Sequence, residues 1–317
     1  MINKNTIGIF VLAFNRLRHL RKVIKSISKY TRKNEIVYIF ADNSKKNSLR
    51  VNQVHRYLRK LNSNKFKVVI RDKNFGLKKN WWHAYDFMFK KYDKVICLED
   101  DTVIKKNFMN FMRKKLTSYQ NNKKIMSITG YAFPIELPKN YEYDIFFSQR
   151  SNAWGQASWR RVWKLFKKNK EDHLSILLNK KKLFKLYKGG DDIVHMFVQD
   201  YLGLSNSIQI WWVWNILKNN GLCINPVNSQ INNIGFDGTG THYKGRVKKS
   251  SSTNIAKKNL KHLKSKSIIY DDSISKSFSN FFKISYRQRI LYNFVPMRLI
   301  ILFYKFKIKF TNILQVN

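Results

Sequence analysis

The sequence predicts an α/β fold, with a mainly parallel sheet flanked by helices. Three observations predict it. Over about the first 145 residues, apolar runs of strand length alternate with stretches whose apolar residues recur at helical spacing. Polar and acidic residues close several of the predicted strands, and in open parallel sheets ligands bind beyond those ends. The chain has 317 residues, of which 44% are hydrophobic, so it buries a real core and is not globally disordered.

The elements follow in order. "TIGIFVLAF" (6–14) reads as a buried strand. "NRLRHLRKVIKSISKY" places Leu17, Leu20, Ile24 and Ile27 at helical spacing, with Asn15 as the expected N-cap. "EIVYIFADNS" is a second strand ending in Asp42, "VNQVHRYLRKL" a helix and "KFKVVIRD" a third strand. "GLKKNWWHAYDFMFKKY" is a helix, "KVICLEDD" a fourth strand, "FMNFMRKKLTSYQ" a helix and "KKIMSITGY" a fifth strand.

After residue 145 the pattern changes. "RSNAWGQASWRRVWKLF" is rich in Trp and Arg. "GGDD" (189–192) precedes a helix-like "IVHMFVQDYL" and then "IWWVWNILKNNG". "SQINNIGFDGTGTHYKG" reads as a Gly- and Asn-rich loop. The expected division is 1–245 as the main domain, 246–275 as a Lys- and Ser-rich linker, and 276–317 as a basic, aromatic, helical tail.

The chain carries a formal charge of +43, with 62 Lys and Arg against 19 Asp and Glu. That excess attracts polyanions, although the lysines are spread along the whole chain and a compositional bias explains them as well. Cys97 and Cys223 make no disulfide framework, and Cys97, inside an apolar run, reads as a small core residue. The start has no secretory signal pattern, and no stretch offers the ~20 apolar residues that span a bilayer. The expectation is a soluble or membrane-surface protein.

Against this charge, Glu99, Asp100 and Asp101 stand side by side at the end of the fourth strand. Strand alternation puts Glu99 and Asp101 on one face and Asp100 on the other, unless a turn follows at once. Clustered carboxylates repel unless a cation neutralises them or one is protonated. Mg²⁺ and Mn²⁺ bind through one or two carboxylates plus substrate phosphates. A solvated strand-end turn is the bland alternative.

The order "VLAFNR", "IFADNS", "NFGLKKNW", "ICLEDDTVIKKNFMNFM" resembles nucleotide-sugar glycosyltransferases of the GT-A (Rossmann-like) fold. The likeness is to bacterial family 2 sugar transferases and, more distantly, to N-acetylglucosaminyltransferase I. "FFSQRSNAWGQASWRRVW", "GGDDIVHMF" and "NPVNSQINNIGFDGTGTH" extend it over roughly residues 6–243. The resemblance implies that Asp101 binds a divalent metal, Mn²⁺ or Mg²⁺, with His242 completing its shell. It implies that Asp100 contacts the ribose, Glu99 the sugar, Asp42 a uracil base and Arg16 the donor phosphates. Trp154, beside Gly155, is the aromatic expected in the site; Trp159, Trp163 and Trp212 are expected in the core. The resemblance also makes Asp192, then Asp191, the candidate general base; an N-cap ahead of the helix is the structural alternative. One departure stands out: bacterial relatives carry Asp-Ser-Trp where this chain has Asn206, Ser207 and Ile208; if that Asp is the base, the enzyme is altered, inactive or served by Asp200.

The implied function is metal-dependent, inverting transfer of a sugar from a nucleotide donor, UDP first. The implied acceptor is a glycan or a lipid-linked saccharide in bacterial surface polysaccharide synthesis. Expected partners are the UDP-sugar, the acceptor and an anionic membrane surface, at the inner face of the cytoplasmic membrane. No nucleic acid is expected, because no helix-turn-helix, zinc or RNA-recognition signature is present. A nucleic-acid binder and an inactive glycan-binding relative are the competing classes.

Overall fold

The computed structural model describes residues 3–168, 171–205, 207–238, 260–263 and 271–314. Their centre is an eight-stranded sheet in the order β3-β2-β1-β4-β8-β6-β9-β7. β1 (Asn3–Ala13), β2 (Val37–Ala41), β3 (Phe66–Ile70) and β4 (Tyr92–Glu99) are the parallel half. β6 (Ile125–Ile128), β7 (Ile145–Ser148), β8 (Gln156–Trp159) and β9 (Leu222–Pro226) are the mixed half. β8 joins the halves by running antiparallel to both β4 and β6. A separate ribbon pairs β5 (Thr102–Ile104) with β10 (Ile231–Asn233), antiparallel.

Parallel strands need crossovers, and helices supply them. α1 (Leu17–Tyr30) links β1 to β2, α2 (Leu49–Leu61) links β2 to β3, and α3 (Gly76–Lys91) links β3 to β4. α4 (Phe108–Ser118) follows β5. α1 buries Leu20, Ile24 and Ile27 of the stripe read from its spacing, and Val23 besides, while Leu17 is only partly buried. Its N-cap is Arg16 rather than Asn15, and no side chain caps the helix. Asn15 turns toward the cavity described below.

β1 is flanked by β2 on one side and β4 on the other, so the chain changes winding direction there. At such a switch point the helices leave to opposite faces and open a crevice at the strands' carboxyl ends. β1 ends at Ala13, and Glu99 of β4 lies opposite Leu12. The acidic triplet therefore lies at the crevice.

The core beneath is aromatic. Phe10 meets Tyr85 edge-on at 4.9 Å, and Trp212 packs on Trp81 and Tyr85. Trp159, Trp163 and Trp212 are buried there, as expected. Both cysteines are free and buried.

A second apolar cluster lies beside the sheet. It gathers α6 (His173–Leu177), α7 (Lys180–Tyr187), α8 (Asp191–Tyr201) and α9 (Gln209–Lys218) into a helical layer, while α5 (Arg160–Lys168) packs Val162, Trp163 and Phe166 into the main core. The C-terminal helices α10 (Asp272–Phe281), α11 (Tyr286–Phe294) and α12 (Met297–Leu314) fold back onto the molecule. α12 buries Met297, Ile300 and Ile301 in that cluster, and α10 buries Ile274 and Phe278 beside Phe146. Of the stretch read as linker, 260–263 and 271–275 are described: Lys261 pairs with the backbone around Tyr143, and α10 already begins at Asp272.

Candidate active site

The crevice holds a cavity of about 350 Å³, within the range of small-molecule sites. Asn15, Arg16, Asp42, Glu99, Asp100, Asp101 and Trp154 all line it. Seven residues from four chain segments, singled out in the sequence, thus meet in one place. Asn74, Asn80, Gly235 and Phe236 line it too and were not anticipated. The only signals for them were their places in the "NFGLKKNW" and "INNIGFDG" motifs.

Strand alternation does not govern the acids. β4 stops at Glu99, and Asp100 and Asp101 form a turn before β5. The turn brings Asp100 and Asp101 together instead of opposing them. Both carboxylates meet the Arg16 guanidinium: Asp100 through a very close contact and Asp101 at 2.9 Å. The Phe14 amide also donates to Asp100, at 3.4 Å. Arg16 is thereby the cation that the cluster requires.

One guanidinium does not balance three acids. Burial pushes Glu99 up to about 8, with Asp101 and Asp100 adding to the shift and Arg16 opposing it. Burial pushes Asp100 up to about 6, against the pull of Arg16 and with a further push from Asp101. Burial alone lowers the Arg16 pKa, but the two aspartates outweigh it and raise it. Asp101 Oδ1 is buried and has no hydrogen-bond partner among the described residues. A buried acceptor without a donor is costly, and it suits a cation that the protein alone does not supply.

The 231–238 segment closes this side. Ile234 N donates to the Asp101 carbonyl at 2.9 Å, and His19 Nε2 lies 3.1 Å from the Ile234 carbonyl and 3.0 Å from Asp237 Oδ2. Gly235 presses on the acids so closely that a Cβ there would lie 2.1 Å from Asp101 Oδ2. His242 lies outside the described residues.

Asp42 forms the opposite wall. Its Oδ1 accepts from the amides of Asn43 (2.9 Å) and Phe75 (2.8 Å), and Oδ2 faces Asn74 Nδ2. Those bonds fix the carboxylate at the rim of β2. Trp154 makes an edge-on contact with Phe236 at 5.3 Å and packs on Tyr131 and Phe133.

Asp191 and Asp192 do not line the cavity. Both stand in the first turn of α8, whose N-cap is Gly190 at φ 121°, a conformation glycine accepts. Asp192 forms a bidentate pair with Arg150, at 2.7 and 2.6 Å. The Arg150 guanidinium stacks on Phe282 of the C-terminal segment at 3.4 Å. Asp191 pairs with Arg289 of α11 at 3.1 Å. Arg150 was not singled out in the sequence, though it sits in the "SQRSNAW" motif. A chain of rings, Trp154 to Phe133 to Phe282, connects the cavity wall to the Arg150–Asp192 pair. Asp200 is buried, and its Oδ2 accepts from Lys78, His173 and Trp211. Those donors hold its pKa below the ordinary value although burial pushes it up. Asn206 lies outside the described residues.

None of the curated proteins matches this chain. Among solved structures it is similar to S. aureus TarS in complex with UDP-GlcNAc, at 13% identity over 50% of this chain and 46% of that one, with TM-score 0.36. It is similar to GalNAc-T7 with UDP, GalNAc and Mn²⁺, at 12% identity, 70% and 42% coverage and TM-score 0.45. It is similar to mannosyltransferase PcManGT from Pyrobaculum calidifontis with GDP-Man and Mn²⁺, at 7% identity, 68% coverage of both and TM-score 0.37. The chain thus spans less than half the length of the TarS chain. The profile described as "Glycosyl transferase family 2" matches residues 8–176, just over half of the sequence. That match runs from β1 through the acidic turn to α6, and on it the chain belongs to glycosyl transferase family 2.

Proposed function

We propose that this chain transfers a sugar from a nucleoside diphosphate donor, UDP first, to a hydroxyl of a glycan or lipid-linked acceptor, with inversion. One observation carries the reading. Asp42, Arg16 and the Glu99–Asp101 turn converge on a single cavity at the switch point of the sheet.

Each wall then has a task. Asp42 is held by two backbone amides and offers its remaining lone pairs to a base N–H. On the family resemblance we assign Asp100 to the ribose and Glu99 to the sugar; both line the cavity. Arg16 stands at the start of α1, whose free amides favour an anion. The residues fit a divalent metal: Asp101 Oδ1 is an unpaired oxygen in a carboxylate cluster. Mg²⁺ and Mn²⁺ sites of this type take one or two carboxylates and draw other ligands from phosphates. Among the described residues no set of three or more His, Cys, Asp or Glu forms a complete cage. When bound, the metal would neutralise charge that grows on the departing diphosphate.

Asp192 is our candidate base. Arg150 takes two of its acceptor positions, and about two remain for a hydroxyl proton. Arg150 then orients the base, as a triad's third member does. We place the acceptor in membrane-bound surface polysaccharide synthesis, at the inner face of a bacterial membrane. The support is α12, which buries one face and leaves Leu299, Leu302, Phe303 and Phe306 exposed. No helix among the described residues is long and apolar enough to cross a membrane. We retain 1–245 as the catalytic unit and 276–317 as a surface-binding layer, with 246–275 between.

The test is calorimetric titration of UDP with and without Mn²⁺. UDP should bind in a Mn²⁺-dependent manner, and Asp101→Ala should remove the dependence while the protein stays folded. Salt-sensitive DNA binding without nucleotide binding would overturn the reading.

A further inference from the structure

α3 has two sides at its first turn. Gly76, Leu77 and Asn80 face the donor cavity. Phe75, Lys78, Lys79 and Trp82 face a second groove of about 560 Å³, which Phe166 and Trp211 also line. The two spaces are thus about one helix diameter apart, roughly 10 Å.

This groove is built. Trp211 Nε1 donates to Asp200 Oδ2 at 3.2 Å, which fixes the indole plane. The same oxygen takes Lys78 Nζ and His173 Nε2, each at 2.8 Å. Asp200 is buried, so its three donors come at a desolvation cost. His173 packs edge-on against Trp211 at 4.7 Å. A buried carboxylate therefore holds two lining residues, a ring and a lysine, in one arrangement.

Its charge is positive. The one acid in the lining is Glu171, whose carboxylate already takes Trp214 Nε1 at 2.7 Å, Lys182 at 2.8 Å and Lys218 at 3.2 Å. Lys79 is exposed, lies 4.9 Å over the Phe75 ring and makes no ion pair among the described residues. The walls are flat rings, and Ile208 is the one aliphatic lining residue and is buried. A docked helix needs a continuous hydrophobic groove, and here charged Lys78, Lys79 and Glu171 interrupt the lining. Flat aromatic faces instead suit the C–H faces of a pyranose, and Lys79 suits a carboxylate or phosphate on it.

We propose that this groove is a subsite for an acidic saccharide and holds a part of the acceptor remote from the reacting hydroxyl. The role as acceptor rests on the transferase reading; the binding itself does not.

The test uses tryptophan fluorescence and calorimetry on the full chain without donor. The probes are short oligogalacturonides, oligomers of glycerol phosphate, and neutral maltooligosaccharides. At least one acidic probe should bind, and which one distinguishes carboxylate from phosphate. Lys79→Ala and Trp211→Ala should each weaken it roughly tenfold, while Lys46→Ala, at an exposed lysine outside the lining, should leave it unchanged. Trp211→Phe keeps a ring but loses the bond to Asp200, and it serves where the alanine variant fails to fold. UDP binding should be the same in Lys79→Ala as in the unmodified chain, so a failure of the groove is separable from a failure of the donor site. Equal weakening by Lys46→Ala, no acidic probe bound, or neutral sugars bound as tightly would overturn the proposal. So would an amphipathic peptide that binds the groove and is not displaced by acidic sugars.

Discussion

Arg16 holds together carboxylates that would otherwise repel. Removing one member of a buried ion pair leaves the others uncompensated, at about 3–5 kcal/mol where burial is full. Arg16 keeps 19% of its side chain exposed, so solvent reduces that figure. Arg16→Gln should lower stability by roughly 1–3 kcal/mol in urea denaturation, and millimolar Mn²⁺ should restore part of it. An unchanged midpoint would show that the acids do not depend on Arg16. Glu99 and Asp100 hold their protons more tightly folded than unfolded. Between the ordinary carboxylate range and about pH 8 the native state therefore binds more protons, and stability falls as pH rises through that window. Glu99→Gln abolishes its share of this fall. Its melting temperature should match the parent near pH 5 and exceed it near pH 8; a constant difference across that range would contradict the shift.

At the scale of elements, two junctions matter. The β10 segment lies on the acidic turn through the Ile234 amide and the backbone of Gly235. Gly235→Ala puts a methyl 2.1 Å from Asp101 Oδ2, so loop and turn must separate. UDP affinity with Mn²⁺ should fall at least about tenfold, while the melting temperature moves by only a few degrees, because the loop buries little apolar surface. The second junction is the start of α8 with α10 and α11. If Asp192 removes the acceptor proton, Asp192→Asn should lower kcat by about 10²–10⁴ and leave donor affinity within about threefold. Arg150→Lys loses the bidentate geometry and should fall between the two. A crippled Asp191→Asn with an active Asp192→Asn would move the base by one position.

For the whole molecule, the fold-back of the C-terminal helices decides how a surface interaction is tested. Deleting them would take Tyr292, Met297, Ile300 and Ile301 out of the second apolar cluster and confound solubility with binding. Substitutions on the outer face avoid that. Leu302→Glu with Phe303→Glu leaves Ile300 and Ile301 packed. The unmodified chain should sediment with anionic liposomes, less so at high salt, and the double variant should sediment markedly less. Equal sedimentation would assign the attachment to the net charge of +43 spread over the chain.

The order of strands and helices through β4 and seven of the residues bordering the cavity were legible in sequence, because strands and helices each carry a local period and family motifs keep their order. Three things were not. The turn after Glu99 overrode strand alternation, since a strand's period ends where its pairing ends. Arg150 showed no signal as a partner of Asp192, because the pair joins positions 42 residues apart. The strands β5 and β7–β10 are short, from three to five residues, and their pairing comes from distant segments rather than from local pattern. Sequence by itself determined the layered α/β class, the apolar faces and the chemistry available at the carboxyl ends. Tertiary structure alone decided which of those groups meet, because a carboxylate's role depends on the cation beside it and the water removed from it. Asp101 Oδ1, Asp192 and Asp200 are the same functional group. One is unpaired beside a cavity, one is held by an arginine and one is locked among three donors.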